Sequence, residues 1–186
     1  MSVSTNDLRN GMALNLPEGL MTVVEFQHVK PGKGGAFVRT KLKNYRTGAV
    51  LERTYRADEK LSLAIIDKKE MQYLYSDGES MTFMDNESYE QIGVDPAALG
   101  DATKYIKEGD TVILPTYQGQ IVGVELPAAV ELTMAQTDPG VQGDRVSGAK
   151  KPATLETGAV VQVPLFVETG DRVKVDTRTG EYLTRV

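Results

Sequence analysis

Hydrophobic and polar residues alternate with a period of two along most of the chain, and this period is typical of half-buried β-strands. Residues 21–29 are rich in β-branched and aromatic side chains, and residues 36–45 alternate clearly enough to define two faces. One face has Val38 and Leu42, and the other has Phe37, Arg39, Lys41, Lys43 and Tyr45. Further strands are predicted at residues 50–55, 72–75, 81–84, 121–124, 160–167, 172–175 and 181–183.

Turn signals separate these segments. Asp77-Gly78 lies between two predicted strands, and an Asp-Gly pair supplies the positive φ angles of a tight hairpin. Gln118-Gly119 is placed in the same manner. Both positions therefore predict antiparallel hairpins.

One segment, residues 97–107, has a helical pattern. Asp95 can cap this helix, and Pro96 suits its first position. Gly100 weakens the helix by roughly 1 kcal/mol relative to Ala, and Gly109 follows its end. The helix is therefore predicted to be short.

Many short strands with Gly and Pro turns predict an all-β chain of small barrels or sandwiches. A single barrel of 186 residues is one option. We favour three small β-barrel domains, at residues 1–65, 66–127 and 128–186, because the charge changes at both boundaries and Leu126-Pro127 interrupts the second. Domains of this size are marginally stable alone, so neighbours should pack on one another.

The residue types restrict the chemistry. The chain has no cysteine and one histidine, His28, which excludes disulfides, thiol catalysis, cysteine-based metal sites and multi-histidine centres. His28 could be a base or a ligand, but without a second histidine we expect a surface residue of a hairpin. No run of about 20 apolar residues and no signal-peptide pattern is present. We expect a soluble cytoplasmic protein with no membrane partner, metal or cofactor.

The net charge of −5 is unevenly distributed. Residues 1–65 have ten Lys and Arg against six Asp and Glu, whereas residues 66–127 have four against twelve. The remaining residues have seven against eight. The first part is therefore a candidate for contact with RNA phosphates, and the middle part would avoid them or meet a basic protein.

The segment between the first two long strands, Lys30-Pro31-Gly32-Lys33-Gly34-Gly35, is the predicted tip loop of a hairpin. Strands of eight to ten residues reach roughly 26–33 Å, and the glycines let the backbone approach another surface closely. Two interpretations stay open. The Lys33 ammonium is delivered to a phosphate-rich site or a modifying enzyme, or the loop is an ordinary turn with a solvated lysine. A nucleotide-binding phosphate loop is excluded, because neither Ser nor Thr follows Lys33.

A basic stripe, defined as Arg39, Lys41 and Lys43, follows the tip loop. Alternating charges are typical of the solvated face of an antiparallel sheet. The adjacent tip loop, with Phe37 and Tyr45 on the same face, favours contact with RNA instead. A second glycine-rich segment, residues 138–153, is long for a loop inside a compact domain, and such loops are usually functional or disordered.

At these residues the sequence resembles the bacterial elongation factor P family, and the match spans the whole chain. The tip loop with Ala36-Phe37 resembles the family's modifiable loop. Residues 151–167, Lys-Pro-Ala-Thr-Leu-Glu-Thr-Gly-Ala-Val-Val-Gln-Val-Pro-Leu-Phe-Val, resemble the family's C-terminal signature. Residues 176–182, Asp-Thr-Arg-Thr-Gly-Glu-Tyr, extend that signature.

The resemblance implies an N-terminal SH3-like (KOW-type) barrel followed by two OB-type barrels, the central one acidic, in an L-shaped, tRNA-like outline. It implies a non-catalytic translation elongation factor that binds the 70S ribosome between the peptidyl and exit sites and relieves stalling at consecutive prolines. In the family, the tip lysine positions the CCA end of the peptidyl-tRNA in the peptidyl-transferase centre. The implied partners are the ribosome with its RNA and proteins, peptidyl-tRNA and the exit-site codon, and we expect a monomer.

Matched by position, Lys33 corresponds to the family's tip lysine and is a candidate for post-translational extension by a lysine-modifying enzyme. Arginine rhamnosylation is excluded, and Gly35, where other members have Gln or Pro, leaves the extension open. The segment around Arg145 corresponds to a loop near the exit-site codon, where contact by the glycine backbone is the better-supported expectation. Tyr182 and Arg185 correspond to a C-terminal Tyr and Arg that contact ribosomal RNA or protein, with core packing as the alternative for Tyr182.

The residues expected to bind RNA share a basic, glycine-rich or aromatic character. They are Lys30, Pro31, Gly32, Gly34, Gly35, Arg39, Lys41, Lys43, Gly143, Asp144, Arg145, Gly148, Tyr182 and Arg185. Besides a translation factor, two alternatives remain: a paralogue of the family with altered tip chemistry, and an unrelated enzyme or generic OB-type RNA binder.

Overall fold

The structure is a computed structural model that describes residues 1–140 and 148–186. Within these residues the chain is built almost entirely from antiparallel strands, so the predicted all-β class is confirmed. The strands are β1 (Ser2–Ser4), β2 (Ala13–Leu16), β3 (Gly19–Val29), β4 (Phe37–Asn44), β5 (Val50–Arg56), β6 (Lys60–Ala64), β7 (Asp67–Ser76), β8 (Met81–Asp85), β9 (Gln91–Val94), β10 (Thr111–Tyr117), β11 (Gln120–Ile121), β12 (Ala129–Thr137), β13 (Lys150–Leu155), β14 (Val160–Pro164), β15 (Arg172–Asp176) and β16 (Tyr182–Arg185).

The first sheet has six strands in the order β1-β6-β2-β3-β4-β5. Val38, Thr40 and Leu42 of β4 point into its core, and the residues between them face outward, as the alternation predicts. Thr40 donates its hydroxyl hydrogen to the backbone oxygen of Arg53 at 2.9 Å, so this buried polar group is satisfied. The outward residues of β4 are thereby fixed in register.

The second sheet has five strands in the order β11-β10-β7-β8-β9. Its β7–β8 hairpin turns at Asp77-Gly78 as predicted, and the Asp77 carboxylate accepts the backbone N–H of Ser80 at 2.7 Å. The predicted strand at residues 121–124 is wrong in extent, because β11 ends at Ile121. The next residues turn toward the first sheet, where a Cβ on Gly123 would lie 2.6 Å from the backbone oxygen of Tyr45. Only glycine permits that approach.

The predicted helix over residues 97–107 is also wrong in extent. The α-helix α1 spans Pro96–Leu99, with the Asp95 side chain accepting the N–H of Ala97 at 2.9 Å. Gly100 then adopts a φ of +58°, which ends the α-helix, and a 3-10 helix over Gly100–Tyr105 follows. The capping prediction is confirmed, and the Gly100 conformation explains the early end.

The third sheet has five strands in the order β14-β13-β12-β15-β16. Its core is formed by fully buried aliphatic side chains, among them Leu132, Val163 and Val173. The predicted strand at residues 160–167 ends at Pro164, which begins a turn closed by the Val167 N–H on the Pro164 oxygen at 3.2 Å.

By their internal packing, the described residues form two compact units. One consists of Met1–Lys69 with Leu114–Val124, and the other of Glu70–Ile113 with Glu125–Val186. The division into three domains at residues 65 and 127 stays a prediction. No helix in the described part of the chain is long and apolar enough to cross a membrane.

Candidate functional site

The tip loop closes the β3–β4 hairpin, whose pairing runs from Met21 with Asn44 to Val29 with Phe37. All six residues of the loop are exposed, and Gly34 has a φ of +109°. Among the described residues, Lys33 has no hydrogen-bond or ion-pair partner. The loop therefore presents the Lys33 ammonium, besides that of Lys30 at its start, on a backbone that carries no other large side chain within two residues of Lys33.

His28 lies on the inward side of the same hairpin, opposite Val38. It is exposed, and its ring meets the ring of Phe26 edge to face at 5.6 Å between centroids. The prediction that His28 is a surface residue of a hairpin is confirmed. In the described part of the chain no carboxylate or hydroxyl contacts its ring, so the arrangement does not form a catalytic pair.

The outward face of β3, β4 and β5 consists of four rows, each with one residue per strand. A β-bulge between Val23 and Glu25 shifts the register of β3, so that Glu25 faces outward. Counted from the tip loop, the rows are Val29–Phe37–Arg56, Gln27–Arg39–Thr54, Glu25–Lys41–Glu52 and Thr22–Lys43–Val50. Side chains within a row are neighbours on one face.

The basic stripe occupies the second, third and fourth rows. Lys41 makes an ion pair with Glu25 at 2.9 Å, and this hydrogen bond raises the pKa of the Lys41 ammonium. Arg39 instead lies over the ring of Phe37, with its guanidinium carbon 5.5 Å from the centroid. The sheet therefore brings the three predicted side chains onto one face but gives them different partners.

The second glycine-rich segment is described only in part. Gly143, Asp144 and Arg145 lie outside the described residues. Gly148 is exposed, with a φ of +87°. Lys151, which sequence analysis did not select, is buried, and its ammonium donates to the backbone oxygen of Asp138.

Tyr182 and Arg185 both lie on β16 but differ in environment. Tyr182 is half-buried against the core of the third sheet, which agrees with the packing alternative. Arg185 is half-exposed, makes an ion pair with Asp171 at 3.5 Å and lies 5.2 Å over the ring of Phe166. Sequence analysis missed Phe166, and the only available signal was an aromatic residue next to a turn.

No group of three or more His, Asp or Glu residues that could hold a metal ion occurs in residues 1–140 or 148–186. The features of these residues are thus an exposed lysine on a glycine-rich loop and a basic and aromatic face on the strands that the loop joins. Such an arrangement can bind a polyanion, since it supplies exposed cations.

Comparison with known proteins identifies the family. Three family models match consecutive parts of the chain. Residues 4–61 match the elongation factor P KOW-like domain, residues 66–124 the elongation factor P OB domain, and residues 130–185 the elongation factor P C-terminal domain.

Elongation factor P of Moorella thermoacetica is 56% identical over 183 residues, which cover 98% of this chain and 99% of that relative. Elongation factor P of Acidothermus cellulolyticus is 57% identical over 182 residues, or 98% of this chain and 97% of that relative. The solved structure of eukaryotic translation initiation factor 5A from Methanococcus jannaschii has a TM-score of 0.51 at 23% identity, over 67% of this chain and 94% of that one. That likeness shows the fold alone. The identities over almost the whole chain show that this protein belongs to the elongation factor P family and is a translation elongation factor.

Proposed function

We propose that the protein binds the 70S ribosome between the peptidyl and exit sites and stimulates bond formation at consecutive prolines. The observation that supports this most directly is the tip loop. It ends a hairpin of long strands, it is fully exposed, and Lys33 has no partner among the described residues. A free ammonium on such a loop can reach a phosphate-rich cleft that the body of the domain cannot enter.

The proposed effect is one of geometry. Proline is a secondary amine whose ring restricts its conformation and its approach to the peptidyl ester. Lys33 would bind the phosphates near the CCA end of the peptidyl-tRNA and restrict the motion of the reacting ester. Each tenfold increase in rate requires that the activation free energy fall by about 1.4 kcal/mol, and one oriented charge contact can supply this amount.

The protein itself would perform no chemistry. Its lone histidine has no carboxylate or hydroxyl partner in the described residues, and the loop supplies an ammonium without a neighbouring base. Bond formation would therefore remain the reaction of the peptidyl-transferase centre, with ribosomal RNA and peptidyl-tRNA as the partners of the loop.

A reconstituted translation assay tests this function. Ribosomes would translate one message with three consecutive proline codons and one without proline, each with and without the protein. We expect faster synthesis on the proline message only. Equal rates with and without the protein on the proline message would refute the proposal. A general acceleration of both messages, or pauses elsewhere in ribosome profiling of a deletion strain, would favour a paralogue with another stall specificity.

We further propose that Lys33 is the position where a lysine-modifying enzyme acts. It is one of two exposed lysines of the tip loop, with Lys30, and it alone has a glycine on each side. No side chain of the described residues pairs with its ammonium. The intact mass of protein purified from its own cells tests this directly. An excess over the sequence mass that disappears in a Lys33→Arg variant supports the proposal, and an unextended mass refutes it.

A further inference from the structure

The outward face of the first sheet is not uniformly basic. The two rows nearest the tip loop, Val29–Phe37–Arg56 and Gln27–Arg39–Thr54, contain two arginines and no acid. The third row, Glu25–Lys41–Glu52, contains two acids and one lysine. The sign of the charge therefore changes between the second and the third row. These rows are two residues apart along the strand, or about 7 Å at the usual rise of about 3.3 Å per residue.

The carboxylates of this sheet have other partners than the two arginines. Glu18 pairs with Arg53, and Glu25 pairs with Lys41. The Glu59 carboxylate accepts the backbone N–H of Arg56 at 3.1 Å, not its guanidinium. Among the described residues, the guanidinium groups of Arg39 and Arg56 have no carboxylate partner, so both are free to bind an external anion.

Phe37 is adjacent to both arginines in the sheet. Arg56 is its direct neighbour across the β4–β5 pair, and Arg39 covers its ring at 5.5 Å. Phe37 is only half-buried, so part of its ring remains accessible. Stacking on the ring limits the rotamers of Arg39 and prepares its planar donors for a bidentate contact.

We propose that these two rows form an RNA-binding surface in which Arg39 and Arg56 each bind a phosphate and Phe37 packs against a base or ribose. Guanidinium groups bind phosphate oxygens bidentately, and exposed aromatic rings stack with bases of any sequence. This proposal adds Arg56 and Phe37 to the residues expected to contact RNA. The contact with RNA would end at the Glu25–Lys41–Glu52 row, where two carboxylates repel phosphate. This inference rests on the proposed function, because it assigns part of the ribosomal RNA or tRNA contact to particular residues.

An acidic protein is the alternative partner for two free arginines. The accessible aromatic ring beside them favours RNA, because each nucleotide offers both a phosphate and a planar base. Photo-crosslinking separates the two. A photo-reactive phenylalanine analogue in place of Phe37, activated on isolated 70S ribosomes carrying peptidyl-tRNA, should crosslink to RNA. A crosslink to ribosomal protein alone would overturn the inference.

The quantitative test is ribosome binding across a salt series for wild type, Arg39→Gln, Arg56→Gln and Lys60→Gln. Lys60 is the charge-matched control, since it is an exposed lysine of the same sheet but lies on β6, outside the three strands that form this face. We expect about a tenfold loss of affinity for each arginine variant. The slope of log affinity against log salt should be flatter for each arginine variant than for wild type, because the loss of a phosphate contact lowers the number of counterions released.

Lys60→Gln should lose less affinity and keep the wild-type slope. Equal losses for Arg39→Gln and Lys60→Gln would overturn the inference and leave the proposed function standing, because positive charge anywhere on this sheet would then act as diffuse charge. Wild-type protein that fails to bind ribosomes would refute the proposed function and this inference with it. Thermal unfolding of each variant, measured alongside, shows whether a loss of affinity is due to unfolding of the protein.

Discussion

Two exposed turns of this protein each present a basic side chain near the middle of the turn, and these two side chains are held in opposite ways. In the turn after β15, the Asp176 carboxylate accepts the backbone N–H of Arg178 at 2.8 Å and also binds its guanidinium at 3.0 Å. In the tip loop, none of the described hydrogen bonds or ion pairs involves Lys33. One cation is thus part of its turn, and the other is free.

This difference indicates what each turn is for. The charge of Arg178 is neutralised locally, and a partner would have to break the two hydrogen bonds of the Arg178 guanidinium with the Asp176 carboxylate to use it. The ammonium of Lys33 makes no hydrogen bond or ion pair with any described residue, so its binding costs mainly the conformational entropy of a long side chain and a glycine-rich backbone. A turn held by its own carboxylate stabilises the fold, whereas a turn without internal bonds is suited to binding.

The largest expected effect is on activity, and it comes from removing the two basic side chains separately. Lys33→Ala should reduce stimulation of Pro-Pro-Pro synthesis by about tenfold or more, while the free energy of unfolding changes by less than about 0.5 kcal/mol. Arg178→Ala should do the reverse, with full stimulation and a small decrease in melting temperature. Both quantities would be measured on both variants. Full stimulation by the Lys33→Ala protein would contradict the assignment of function to the tip loop.

A second, smaller effect concerns the glycines of the two turns. Gly180 has a φ of +74°, and a Cβ there would lie 2.9 Å from the Tyr105 hydroxyl oxygen. Gly180→Ala should therefore destabilise the protein by about 1–2 kcal/mol, from the left-handed backbone alone, and by more if Tyr105 cannot move. Gly32→Ala is the matched variant, because a Cβ on Gly32 meets nothing within 4 Å.

Chemical denaturation of the two glycine variants tests this contrast. We expect a lower midpoint for Gly180→Ala and an unchanged midpoint for Gly32→Ala. Equal destabilisation by both substitutions would show that the tip loop is also conformationally constrained, and the distinction between the two turns would fail.

The comparison also shows what the sequence could predict. The period-two alternation determines which residues of β4 are buried, because one register places Val38, Thr40 and Leu42 inside. The hairpin at Asp77-Gly78 follows from local backbone preferences. The extent of the helix could not be predicted from the sequence. Gly100 is compatible with a helical or a left-handed backbone, and contacts with the rest of the structure decide which of the two it adopts.

The sequence predicted which segments form the candidate site, but not which side chains pair with one another within it. The glycines around Lys33 indicate an exposed loop from sequence alone. That Lys41 pairs with Glu25 and Arg39 stacks on Phe37 depends on the register of β3 against β4, which a β-bulge changes. Such a bulge inverts the facing of every later residue of the strand, and no pattern in the sequence marks it.

The smallest expected effect is on the pH dependence of stability, and it again separates the two turns. Hydrogen bonds from Arg178 lower the pKa of the Asp176 carboxyl from 3.8 to about 2. A carboxyl with a lowered pKa in the folded state contributes stability that is fully present above its unfolded pKa and is lost as the pH falls through its folded pKa. Asp176 should therefore stabilise the protein above about pH 4 and lose this contribution between about pH 4 and pH 2.

The difference in free energy of unfolding between wild type and Asp176→Asn isolates this contribution, because all other carboxyl groups are common to both proteins. We expect the difference to be constant above about pH 5 and to shrink toward pH 2, since protonated Asp176 and Asn are both neutral. The corresponding difference between wild type and Lys33→Ala should be flat over the same range, because no carboxylate pairs with Lys33 among the described residues. A pH-independent difference for Asp176→Asn would mean that the carboxylate does not hold its turn through charge, and the two turns would then differ in backbone geometry only.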